Sequence, residues 1–394
     1  MAIGEQELKA SLKATADWYC NSGIMRPIDG SWGIGERVLL TKDNSAVEKV
    51  YISFPSWTEH DSYSIIEQRR ADCNLEAAFM FLLMSEYLNE EKYRTIAYNL
   101  LDYLYRRSGM LIRSGDNAGG WGWSNLCAMA KKFWFDDNAW MCTLQLMIAA
   151  ISPQWDKEFG MTDWALKLAG MIEKGFIAQF GKEPNPEFIW EGNLNLPHWG
   201  SLAIMALART GQDKYRPTTE LYHKFLLSKK DELTTSEYGY ALLGACMTNR
   251  YFHDAISLQV AEAFAQKILE KSDPETGNIA SEHYEAPSGA NLADTIYTLN
   301  WAVLGLQCVS RLTGKSEYVA AYEKLLGLLL KIQDKTPEAH LFGCWRGMYD
   351  METGNWGGGD RYEGGANSIY SGWTNAPIPW AMLNALKNKS LLDY

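Results

Sequence analysis

The densest group of chemistry-capable residues in the chain is Trp134-Phe135-Asp136-Asp137-Asn138-Ala139-Trp140, two adjacent carboxylates among aromatic side chains. They open an apolar run, residues 141–150, with the composition of a buried helix. An acid at a helix start satisfies orphan backbone N–H groups and complements the positive end of the helix dipole. One carboxylate is enough for that. Successive helical residues point about 100° apart, so one acid can cap while the other projects into a hollow. A carboxyl group enclosed by indoles holds its proton more tightly, which suits a general acid working near neutral pH.

Other candidates sit where further apolar helices begin. Asp72, in Arg69-Arg70-Ala71-Asp72-Cys73-Asn74, precedes one of them, and the arginines would hold it ionised. Glu191 and His198 flank another start and Glu237 opens a third. His283, between Glu282 and Glu285, and Asp294 precede a fourth, and Asp360, Arg361 and Glu363 a fifth. Glycosidic hydrolysis needs such acids in pairs, one protonated at the leaving oxygen and one acting opposite it. Asp137 with Asp72 is the first pair to consider, and Asp136 with Asp137 the second.

The chain also has 16 Trp and 21 Tyr. Nine Trp fall in the long stretches between helical segments: Trp32, Trp57, Trp121, Trp123, Trp134, Trp190, Trp345, Trp356 and Trp373. The C–H face of a pyranose stacks on an indole, and its hydroxyls bond to carboxylates and amides. Trp121, Trp123, Trp190, Trp345 and Trp373 are therefore expected as sugar platforms. Glu191, His198, His283 and Asp294 are expected to bind hydroxyls, and Arg346 or Arg361 to clamp a uronate. The plainer alternative is that the aromatics pack loops together, that His198 packs on Trp199, and that Asp294 is a structural hydrogen-bonding group.

Twelve helical segments must position these residues: 5–21, 70–89, 91–107, 137–151, 160–180, 198–210, 213–229, 236–249, 254–271, 292–311, 316–332 and 375–387. Even-numbered segments are apolar nearly all round and rich in small residues, as in Gly239-Tyr240-Ala241-Leu242-Leu243-Gly244. Odd-numbered ones carry a charged stripe. A helix apolar on every side is buried, and an amphipathic one lies outside it. Six of each, alternating, describe an all-α (α/α)6 barrel. Links before the inner helices are mostly long, and long loops in compact domains are usually functional. A short hairpin is expected within 33–55. No linker-like stretch divides the chain, so one domain spanning 1–394 is expected.

Net charge is −11. That argues against nucleic acid or an anionic membrane surface as partner, since both favour basic patches. A carbohydrate partner fits, with no cofactor and no metal, because neither dinucleotide and phosphate loops nor metal-ligand spacings occur. Seven scattered Cys without a C-x-x-C pattern suit a reducing compartment. The first residues lack the basic and apolar segments of a signal peptide, so a cytoplasmic location is expected.

Asp136-Asp137-Asn138-Ala139-Trp140 resembles the Asp-Asp-Gln-x-Trp helix start of glycoside hydrolase family 76, the endo-α-1,6-mannanases among the six-hairpin glycosidases. In that family the adjacent acids are the catalytic pair, which implies Asp136 and Asp137 here. The Thr-Gly-x-x-x-Tyr turns at Thr210 and Thr313 suit the same group. The layout is also similar to families 88 and 105, the unsaturated glucuronyl and rhamnogalacturonyl hydrolases. Those place one Asp before the second helix and another before the fourth, which implies Asp72 and Asp137. The resulting expectation is a glycoside hydrolase with Asp137 as general acid/base and Asp72 or Asp136 as its partner. Two rivals are a sugar epimerase of the N-acylglucosamine 2-epimerase type, relying on His198 and His283, and a non-catalytic glycan-binding protein.

Overall fold

The structure is a computed structural model, and it describes residues 3–40, 56–125, 132–182, 188–282, 291–358 and 364–394. Thirteen α-helices occur among them. Six form an inner ring: α2 (Ala71–Leu88), α4 (Phe135–Ile151), α7 (Pro197–Arg209), α9 (Thr235–Phe252), α11 (Leu299–Thr313) and α13 (Pro377–Lys387). Each packs on the next, and α13 returns to α2, which closes the ring. Outside lie α1 (Glu5–Asn21), α3 (Glu91–Asp102), α6 (Met161–Gln179), α8 (Arg216–Lys229), α10 (Ala255–Lys271) and α12 (Ser316–Ile332). The short α5 (Pro153–Phe159) links α4 to α6. Five outer helices follow their inner partners, while α1 packs on α13 and so joins the two ends of the chain.

Small residues make the crowding possible. A Cβ at Gly244 would lie 2.6 Å from the Ser201 carbonyl oxygen on α7, and one at Gly239 would lie 2.7 Å from the Ala302 nitrogen on α11. The barrel axis is filled by indoles from three inner helices. Trp140 stacks on Trp301 at 5.1 Å and meets Trp380 at 5.6 Å, and all three are fully buried. At the far end, Leu391 and Leu392 are buried in the terminal turn, and Arg209 Nη2 donates to the Tyr394 carbonyl at 3.0 Å.

Short strands decorate the rim. β2 (Trp57–Glu59), β3 (Ser64–Ile66), β1 (Arg37–Leu39) and β9 (Ser368–Tyr370) form one antiparallel sheet, with Val38 opposite both Ile65 and Ile369. β4 (Phe133–Trp134) runs parallel to β5 (Trp190–Glu191), and β6 (Leu292–Asp294), β7 (Met348–Asp350) and β8 (Asn355–Trp356) form a third sheet. Two expectations change. β1 lies within the stretch expected to form a hairpin, but it pairs with β3 and β9, and residues 41–55 lie outside the described ones. The helix expected from residue 292 begins at Leu299, because Leu292–Asp294 joins β7 and the Asp294 carboxylate then fixes a turn. Six Cys are described, all free and all but Cys20 buried. No helix among the described residues is long and apolar enough to cross a membrane.

Candidate active site

Asp136 and Asp137 lie in the first turn of α4, after an extended residue, Trp134. Their side chains reach across the ring to neighbouring helix starts. Asp136 Oδ2 is 2.9 Å from His198 Nε2, at the start of α7. Asp137 Oδ1 accepts from Arg70 Nη2 at 2.6 Å, at the start of α2. The other Asp136 oxygen, Oδ1, is buried and has no partner.

Arg70 is the hinge of the charge network. Its Nε and Nη2 grip Asp72 at 3.1 and 2.7 Å while Nη2 also serves Asp137. Its guanidinium lies 5.6 Å from the Trp123 ring and 5.8 Å from the Trp373 ring. Glu36 stands 3.6 Å away and is itself held by Arg37. Asp72 further accepts from the Trp373 indole N–H at 2.6 Å. Burial alone would raise the Asp72 pKa, but Arg70 and hydrogen bonds from Asp137, Trp373 and the Cys73 N–H outweigh it and hold Asp72 below the usual carboxylate range. Asp137 goes the other way. Burial, then the negative charges of Asp72 and Asp136, push it well above that range despite Arg70. The two acids are therefore pushed in opposite directions, and Asp137 is the more readily protonated of the pair.

Two further carboxyls support the wall. Glu76, one turn beyond Asp72, accepts the Trp373 backbone N–H at 2.6 Å, and burial followed by the Asp72 charge raises it strongly. Glu237 accepts the His198 backbone N–H at 2.7 Å and is raised by burial. The His198 ring is sandwiched in parallel between Trp199 at 4.5 Å and Tyr240 at 4.8 Å. Trp373 adopts a left-handed backbone, φ 35°. The preceding Gly372 leaves no room for a side chain, since a Cβ there would lie 2.6 Å from Cys73 Cα.

These groups surround a cavity of about 230 Å³. Arg70, Asp136, Asp137 and His198 supply its polar wall, and Trp123, Trp134, Trp199 and Trp373 its indoles. Ile296, Tyr297 and Tyr370 complete the lining.

Of the residues expected to act, Asp136, Asp137, His198, Trp123 and Trp373 meet here. Asp72 is fully buried, bonded to Arg70 and Trp373 and absent from the cavity surface. The others lie elsewhere. Trp121 is buried edge-on to Tyr105. Trp345 is a core residue whose indole donates to the Leu329 carbonyl at 2.7 Å. Trp190 stacks on Phe135 at 4.6 Å and borders a separate hollow beside Lys174 and Gln179. Glu191 pairs with Lys132. Arg346 is paired with Asp334 at 2.7 Å and does not line this cavity. Asp294 accepts from the Ile296 and Tyr297 N–H groups and the Thr298 hydroxyl, the structural alternative. His283 and Arg361 lie outside the described residues. Sequence reasoning missed Trp134, Trp199, Tyr297 and Tyr370 as wall residues and Glu76 as a support. For Trp134 and Trp199 the signal was adjacency to the acids and to His198, and for Glu76 a carboxyl one turn beyond Asp72 within an apolar stretch of helix. Among the described residues no three His, Cys, Asp or Glu side chains form a group able to hold a metal.

No family model matches the chain, and no curated protein matches it by sequence. Solved structures do. D-mannose isomerase superposes with a TM-score of 0.58 at 14% identity, over 98% of this chain and 98% of that one. The unsaturated glucuronyl hydrolase of Streptococcus agalactiae gives 0.58 at 12%, over 100% and 94%. A family 76 α-mannanase of Bacteroides thetaiotaomicron gives 0.56 at 9%, over 87% and 95%. At these identities the likeness is one of fold. The barrel is the six-hairpin toroid that glycoside hydrolases share with sugar epimerases and isomerases.

Proposed function

We propose that the protein is a glycoside hydrolase acting on an oligosaccharide, with Asp137 as its proton donor. The observation that carries this reading is the split carboxyl pair. Asp72 lies behind the wall, bonded to Arg70 and Trp373 and pushed toward its ionised form, while Asp137 lies at the cavity surface and is pushed toward its protonated form. A sugar ring packs against Trp123 or Trp373. Asp137 gives its proton to the glycosidic oxygen as the bond to the anomeric carbon breaks. A water activated by the Asp136 carboxylate at the cavity wall attacks that carbon and passes its proton to Asp136, which His198 steadies through Oδ2. Asp72 is a positioning residue, since no substrate atom reaches it.

The test is Asp137→Asn on any glycan the wild type cleaves. The rate falls at least about a hundredfold, the lower end for general acid–base catalysis, with an unchanged melting temperature. An unaltered rate removes Asp137 from the chemistry.

The His198–Asp136 contact favours a second reading. An imidazole backed by a carboxylate can move a proton on and off a sugar carbon, as epimerisation or isomerisation requires. Incubation with free hexoses and N-acyl sugars in deuterated water separates the two. Isomers labelled at carbon support the second reading, and cleaved glycosides without isomers support the first.

A further inference from the structure

A second hollow, of about 480 Å³, opens on the same rim. The ridge between the two hollows is an extended segment. Arg69 N donates to Asn125 Oδ1 at 2.9 Å, Asn125 N donates to the Arg69 carbonyl at 3.1 Å, and Arg70 bridges to Ser124. Consecutive residues of an extended segment face opposite ways. Arg70 turns into the catalytic cavity, and Arg69 lines the second hollow. Two more arginines line it: Arg26, from the loop after α1, and Arg107, from the turn that ends α3. In a chain of net charge −11 this is a local reversal of sign.

Among the described residues, the only carboxylate in this lining is Glu67. Both its oxygens are taken, one by Thr58 Oγ1 at 2.6 Å and one by Arg69 Nη1 at 2.8 Å. Arg107 spends Nη2 on Asp102. Arg26 is exposed and makes no salt bridge with a described residue. At the lip stands Trp32, 58% exposed, its ring 5.9 Å from the Arg107 guanidinium and its carbonyl accepting from Arg69 Nε. An exposed indole with guanidinium groups around it offers a ring face and a charged fork side by side. Guanidinium is the side chain whose geometry matches carboxylate and similar oxyanions.

We propose that this cleft is an accessory subsite for the anionic group of an acidic sugar, with Trp32 as platform for the ring that bears it. The proposal rests on the reading of the neighbouring cavity as a carbohydrate site, and it names the substrate class as anionic glycans. The anion is the carboxylate of a uronate or the ester of a sulfated sugar, and both present oxygens to the arginines.

The experiment is binding to immobilised neutral, uronate-bearing and sulfated oligosaccharides, comparing wild type with the Arg26→Gln/Arg107→Gln double variant. Both residues are exposed and outside the catalytic cavity. The wild type binds acidic glycans at least tenfold more strongly than neutral ones at low salt. The double variant loses that preference and keeps its neutral binding. Whether uronate or sulfate probes respond more identifies the anion. Absence of binding to every acidic glycan, or a preference that persists in the double variant, overturns the subsite. The two readings fail separately. Arginine-dependent binding without turnover of any glycan leaves the subsite standing and sinks the hydrolase, whereas turnover of neutral glycans without acidic preference does the reverse.

Discussion

Asp72 and Asp137 are one carboxyl pair with two fates, and the difference lies in what each touches. Arg70 reaches both, but Asp72 alone receives the Trp373 indole N–H. On the hydrolase reading Asp137 must hold its proton, and Asp72, the positioning residue, must stay ionised beside it. Asp72 sits below its ordinary pKa, so activity falls on the acidic side as pH drops through that lowered value. Asp137 sits above, so activity falls on the basic side as pH rises through its raised value. Trp373→Phe keeps a ring in the wall and deletes the donor. A hydrogen bond to a charged group is worth about 1.5–3 kcal/mol, or roughly one to two pH units. The acidic limb of kcat/KM should therefore move upward by about one unit. An acidic limb that stays put would show that the indole does not set the Asp72 ionisation. The pair itself was legible, because acids flanked by arginines and indoles at apolar helix starts are uncommon. Which Trp would face sugar was not. Trp345 and Trp123 sit in similar loop sequence, and only packing sends one to the Leu329 carbonyl and the other to the cavity.

At the scale of elements, the long segments between inner helices lock the rim with short strands and buried turns. The segment before α11 shows why periodicity misreads it. Leu292-Ala293-Asp294-Thr295-Ile296 has helical composition, yet its backbone groups go to β7 and to the Asp294 side chain. A strand this short carries too few residues to display alternation. Asp294 also has a thermodynamic signature. Burial pushes its carboxyl up to about 6 from 3.8, against the hydrogen bonds it accepts. The folded state thus binds the proton more tightly than the unfolded state. The associated stability is present below about pH 4 and is lost as pH rises through 6, on the order of 3 kcal/mol. Asp294→Asn has no such titration and retains an acceptor for the Ile296 and Tyr297 N–H groups. Thermal melts from pH 4 to 7 should converge on or cross the wild type as pH rises. Parallel curves would mean that Asp294 does not titrate in this window.

The whole molecule was the most legible level. All-round apolar helices alternating with striped ones admit few arrangements, and the closed ring with its outer sleeve is the one found. That α1 pairs with α13 follows from the same count: twelve helices taken from the first leave the opening one as sleeve to the last. The indoles of Trp140, Trp301 and Trp380 then have a consequence for how a long substrate is handled. They stopper the barrel beneath the cavity, and Leu391 and Leu392 seal the opposite end. On the hydrolase reading a glycan has one doorway and cannot be drawn through, and attack from a chain end at Asp137 is the expected mode. Digestion should liberate one- or two-unit products from the first minutes while the viscosity of the parent polymer hardly changes; an early spread of mid-length fragments would contradict a blind-ended barrel.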